Sequence, residues 1–95
     1  MKKLNPVLHS QLRLSVMSIL ASVDEADFVC LREETGATAG NLSVQIEKLA
    51  DVGYIEVLKL VSDKRPRTLC RITPKGVDAF REYFETLKSY LPDGF

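Results

Sequence analysis

The hydrophobic pattern of this 95-residue chain changes from a helical to an extended period at Gly53-Tyr54, and that change limits the folds open to it. Before it, apolar residues recur every three or four positions, the spacing of helices buried along one face. After it, Ile55-Glu56-Val57-Leu58-Lys59-Leu60-Val61 is rich in β-branched residues and partly alternates polar with apolar, the pattern of a strand. A second extended run, Thr68-Leu69-Cys70-Arg71-Ile72, follows the polar residues 62–67, so the two runs predict a hairpin with a long polar tip. Thr73-Pro74 then restarts a helix, with Thr as N-cap and Pro at the first position, and Pro92-Asp93-Gly94 ends it after about Leu91.

Three helices are predicted upstream of the hairpin. In residues 5–23, Leu8, Leu12, Val16, Ile19, Leu20 and Val23 fall at helical spacing, with Asn5 placed to cap and Pro6 at the first helical position. Residues 24–27 read as a polar turn, and Asp27 caps a short helix over residues 28–35 that buries Phe28 and Leu31 and stops at Gly36. Thr38 caps a third helix running to Val52, in which Leu42, Ile46 and Leu49 share one face and Gly53 closes the end. The expected fold class is therefore mainly α (α+β), in the order α-α-α-β-β-α. With 45% hydrophobic and 27% charged residues, the chain has the composition of one folded domain spanning residues 1–95.

Several kinds of chemistry lack their parts. His9 is the only histidine, and Cys30 and Cys70 lie far apart, so Cys and His alone cannot assemble a four-ligand zinc site. No metal and no cofactor are expected. Both cysteines have apolar neighbours and read as small buried thiols, with a redox switch at either as the alternative. No glycine-rich phosphate loop or nucleophile elbow is present, and Glu33-Glu34 reads as a solvated pair, so an enzyme is not expected. The basic start Met1-Lys2-Lys3 is not followed by an apolar run of signal-peptide length, and no segment reaches the roughly 18 apolar residues of a membrane span. The cytoplasm is the expected location.

Charge is balanced in sum, 13 basic against 13 acidic residues, but not in place. Residues 24–37 carry five acids and one base, whereas residues 62–76 carry Lys64, Arg65, Arg67, Arg71 and Lys75 against only Asp63. Arg65-Pro66-Arg67 would hold two guanidinium groups on a stiffened backbone, suited to phosphate or to a narrow groove. The patch follows a helix, a glycine-containing turn and a second helix, the arrangement of a helix-turn-helix. On a wheel, the face of the third helix opposite Leu42, Ile46 and Leu49 presents Gly40, Val44 and Glu47, flanked by Asn41, Ser43 and Lys48. Such small and polar residues suit entry into a major groove about 12 Å wide. Gly40 in the first turn costs on the order of 1 kcal/mol of helix stability relative to Ala.

The stretch GATAGNLSVQIEKLADVGYIEV, with KRPRTLCRITPKG after it, resembles the winged helix-turn-helix transcriptional regulators of the MarR/ArsR type. The resemblance covers roughly residues 8–91. It implies a helix-turn-helix at residues 27–52, a wing at residues 54–72 and a C-terminal helix at residues 73–91. It further implies a recognition-helix surface of Thr38, Gly40, Asn41, Ser43, Val44, Gln45 and Lys48, and a wing contact through Lys64, Arg65 and Arg67. Gln45 fits least well, because the wheel puts it near the buried stripe. Unlike ligand-sensing and metal-sensing members, the chain shows no effector pocket or ligand cluster, so any effector is unknown.

In the last helix Val77, Phe80, Phe84, Leu87 and Leu91 repeat at spacings of three and four, widened by Tyr83 and Tyr90. At 1.5 Å per residue, 18 residues reach about 27 Å, long for so small a body. The expectation is a long C-terminal dimerisation helix and a two-fold homodimer, with Leu8, Leu12, Phe80, Tyr83, Phe84, Leu87 and Leu91 at the interface. The expected function is a repressor of transcription, reading an inverted repeat in double-stranded DNA. The alternative is a winged-helix module that binds protein instead.

Overall fold

The computed structural model describes residues 2–62 and 65–94. It contains α1 (Gln11–Val23), β1 (Glu25–Asp27), α2 (Phe28–Thr35), α3 (Ala39–Asp51), β2 (Ile55–Ser62), β3 (Arg65–Ile72) and α4 (Pro74–Lys88). The predicted order stands, with one short strand added. That strand, β1, replaces the expected polar turn: it joins the hairpin as an antiparallel edge in the order β1-β3-β2, placing Glu25 opposite Arg71 and Asp27 opposite Leu69.

Side-chain caps decide where the helices begin. Asp27 accepts from the Cys30 amide, Thr38 from Asn41 and Thr73 from Gly76, at the starts of α2, α3 and α4 respectively. The first helix starts later than expected. Asn5 does cap a turn, accepting from the Val7 amide, but Ser10 is extended and caps afresh at Arg13. The bend keeps Leu8 fully buried and lets the Asn5 amide donate to the Tyr54 hydroxyl at 2.8 Å.

The hairpin differs at its tip. Ser62 pairs with Arg65, so the strands run on to the end and Arg65 and Arg67 belong to β3 instead of a long loop. Pro66 is tolerated because β1 reaches only to Leu69, leaving β3 with a single neighbour there. The core gathers Leu8, Val16, Met17, Leu20, Leu31, Leu42, Ile46, Leu49, Ile55, Cys70 and Tyr83 from every major element. Cys70 is buried as expected; Cys30 is exposed on α2, a correction to the reading of both as interior thiols. The α2 side chain sealed inside is Leu31, while Phe28 is half-buried.

The exit of α3 and the start of α4 form one knot. Gly53 at φ 80° and Tyr54 donate back to Ala50 and Leu49, closing α3 with a paired C-terminal motif. Thr73 donates its hydroxyl to the Gly53 carbonyl at 2.6 Å and its amide to the Tyr54 carbonyl at 3.1 Å. No helix of the described residues is long and apolar enough to cross a membrane.

Candidate nucleic-acid interface

The buried stripe Leu42, Ile46 and Leu49 turns the other side of α3 outward, so Thr38, Gly40, Asn41, Ser43, Val44, Glu47 and Lys48 are all exposed. The outer side of its first turn is open at Gly40, where a β-carbon would meet nothing within 4 Å. The Thr38 hydroxyl is engaged as the N-cap, accepting from the Asn41 amide at 3.2 Å, so its outward chemistry is limited to its methyl and its remaining hydroxyl capacity. Gln45 is half-buried, as its edge position on the wheel suggested, and it bridges Arg13 of α1 to Asn41.

The wing is less cationic in effect than its sequence. Arg67 donates to Asp27 at 3.2 Å through Nε and pairs with the same oxygen at 3.1 Å through a terminal nitrogen. Arg71 pairs with Glu25 at 2.8 Å, and that carboxylate holds the guanidinium charge still more firmly. Lys75 belongs to another surface, lying over the Tyr54 ring 5.8 Å from its centre. Arg65 is exposed beside the tip, and Lys64 lies outside the described residues.

Between α3 and the hairpin runs a cleft of about 500 Å³, bordered by Ser43, Glu47, Lys59 and Thr68 over a floor that includes Ile46 and Val57. Lys59 was not among the expected contacts. Period-two counting from Ile55 and Val57 puts it on the helix-facing side of β2, and that was its available signal. Arg13, which acts on α3 from outside the helix-turn-helix, had no signal in local sequence.

The seam on α4 is divided. Leu8 and Tyr83 are corrections: both lie in the protomer's own core, and the Tyr83 hydroxyl bonds His9 Nδ1 at 3.0 Å. Leu12, Phe80 and Leu87 are half-buried, whereas Phe84 and Leu91 remain 42% and 48% exposed. The helix ends at Lys88, so Leu91 follows in a turn. The N-terminal residues strap this helix down: Lys2 pairs with Glu82, and the Tyr90 hydroxyl donates to the Lys2 carbonyl at 2.7 Å.

Residues 12–91 match the family described as winged helix DNA-binding domain. An uncharacterized protein of Methanocaldococcus jannaschii is 32% identical over 77 residues, covering 81% of this chain and 84% of that one. A solved transcriptional regulator homologue from Pyrococcus horikoshii OT3 superposes with a TM-score of 0.83 at 30% identity, over 88% of this chain and 83% of its own. The transcriptional regulator BldR of Sulfolobus solfataricus is similar at 25% identity with a TM-score of 0.71, over 85% of this chain and 57% of its own.

Proposed function

The chain belongs to the winged helix DNA-binding domain family, and from that premise we propose that it is a transcriptional repressor that binds an inverted-repeat DNA site as a homodimer. The observation that carries this reading is the free first turn of α3. Gly40 has neither a positive φ nor a neighbour that would exclude a side chain, so the folded protomer has no need of a glycine there. A close approach of backbone to a phosphate or base edge does need one. Thr38, Gly40, Asn41, Ser43, Val44 and Lys48 then face the groove, with Gln45 behind them, and Lys64, Arg65 and Arg67 brace the backbone.

Dimerisation is supported by Phe84 on α4 and Leu91 in the turn after it, apolar side chains left open, with Leu12, Phe80 and Leu87 half-buried. Two copies related by a two-fold axis would set two α3 helices on successive major grooves. Repression then needs no further surface, because an occupied site is closed to other proteins. The setting of such a protein is the cytoplasm.

Selection of random duplexes on the purified protein, with its solution mass measured alongside, tests the reading. A palindromic site and a mass of two chains are expected; failure to enrich any duplex overturns DNA binding. A protein-binding use of the same fold is the second reading, favoured by Leu58, Leu60 and the 82% exposed Val61 along β2. Salt separates the two: DNA affinity falls steeply as salt rises, through counterion release, and apolar docking does not.

A further inference from the structure

Arg13 of α1 is half-buried against α3 and begins a chain of three directed hydrogen bonds. Its Nε donates to the Val7 carbonyl at 2.5 Å, and a terminal nitrogen donates to Gln45 Oε1. Gln45 Nε2 in turn donates to Asn41 Oδ1 at 3.0 Å.

The direction of this chain follows from chemistry. A guanidinium has donors only, so the atom facing Arg13 must be the oxygen of Gln45. The Gln45 amide must then turn its nitrogen toward Asn41, and Asn41 can meet that nitrogen only with its oxygen. One acceptor site of Asn41 is thereby occupied, and Nδ2, the other end of an exposed side chain in the first turn of α3, remains available to donate. An unconstrained asparagine would offer either end of its amide. This one is held by Gln45, whose orientation Arg13 fixes through two part-buried bonds, where water competes less, while the Gln45–Asn41 bond itself lies on the exposed helix surface.

We propose that Arg13 and Gln45 are positioning residues that fix the polarity of Asn41, so that it enters the major groove as a hydrogen-bond donor and reads guanine. Guanine presents two adjacent acceptors, O6 and N7, in that groove, whereas adenine places an amino group beside its N7 and cytosine offers only an amino group. The paired contact of asparagine with adenine needs oxygen and nitrogen together, and here the oxygen is shared with Gln45. The proposal rests on the reading of α3 as the groove-facing helix.

The experiment is duplex selection followed by affinity measurements on wild type, Asn41→Ala, Gln45→Glu, Gln45→Met and Arg13→Met, each checked for folding by its melting curve. The base pair read by Asn41 is the one whose preference Asn41→Ala relaxes. Wild type is expected to favour guanine there by about tenfold, the size of a good directional base contact. In Gln45→Glu the introduced carboxylate still accepts from Arg13 but can only accept from Asn41, which must rotate. The preference should then swap to a base with an exocyclic amine. Gln45→Met and Arg13→Met should relax it without a swap, an outcome that a loss of stability alone would not produce.

A wild type that enriches no duplex overturns the DNA reading and this assignment with it. A wild type that selects a site, with no position relaxed by Asn41→Ala or with the same preference in all three relay variants, overturns the relay alone.

Discussion

A β-carbon on Gly76 would stand 2.1 Å from the carbonyl oxygen of Tyr54, closer than the two atoms can come. Gly76 lies in the first turn of α4, and Tyr54 opens the path into β2, so this contact sets how tightly the last helix seats on the exit of α3. The Thr73 hydroxyl ties the same junction to Gly53. Gly76→Ala must push backbone against backbone and is expected to lower unfolding free energy by roughly 1–3 kcal/mol, the range for overpacking a close-packed site. Urea denaturation measures it; an unchanged midpoint would show that the two segments can separate without loss.

Gly40→Ala is the opposite case. Its β-carbon enters open space in a helix, so the variant should gain up to about 1 kcal/mol through better helix propensity and a less flexible unfolded chain. DNA affinity should fall about tenfold or more, because the added methyl keeps α3 from its closest approach. A variant that is more stable and binds equally well would remove Gly40 from the interface.

Signals confined to a few neighbouring residues were legible in the sequence. Asp27, Thr38 and Thr73 cap as read, α2 occupies residues 28–35 as predicted, and Leu42, Ile46 and Leu49 are interior. What depends on distant partners was not legible. Three residues are too few to show a strand period, and β1 exists because β3 offers it an edge. Arg65-Pro66-Arg67 carries no alternation and read as loop, yet pairing with β2 extends the strand through it. Periodicity placed Tyr83 on the seam of α4 but could not say that the core would take it in and that His9 would meet its hydroxyl. The same limit applies at the site: the exposed face of α3 followed from its stripe, whereas the hold of Arg13 on Gln45 crosses 32 positions of sequence.

Asp27 serves α2 and the wing at once. One oxygen caps the helix at the Cys30 amide, 2.8 Å away, and the other holds Arg67. Asp27→Asn keeps an acceptor for the cap and removes the charge, so the stability change should stay within about 1 kcal/mol, as for other solvent-accessible ion pairs. If Arg67 reaches phosphate, its release should tighten DNA binding and steepen the log–log salt slope by up to about 0.9, one phosphate contact. An unchanged slope would assign Arg67 to the sheet alone.

The two thiols should behave differently. Cys30 is exposed and should react with a thiol reagent in the native protein, whereas Cys70 should react only on unfolding. Burial pushes the Cys70 thiol up to about 11 from an ordinary value of 9.0. A thiol that ionises less readily when folded leaves stability intact below pH 9. Above it the unfolded chain loses its proton first, and stability falls as pH rises toward 11, by at most about 1.4 kcal/mol per pH unit. Denaturant midpoints measured across this range should fall less steeply in Cys70→Ala. Equal slopes would mean that Cys70 does not contribute.

Phe84 packs edge-on against Phe80 and Tyr83, with ring centres 4.9 and 5.8 Å away, yet is 42% exposed. A lysine at this position can extend into solvent in the free protomer but would place a charge within the proposed two-fold apolar contact, where burial is strongly unfavourable. Phe84→Lys should therefore remain folded and have the solution mass of one chain. Binding to a single half-site should be nearly unchanged, because α3 and the wing are untouched. Binding to the full inverted repeat should weaken by about a hundredfold or more, because the second half-site no longer benefits from the effective concentration that a linked partner provides. A variant that stays dimeric would move the interface off α4. A monomer that binds the full site as tightly as wild type would instead show that the two halves are read independently.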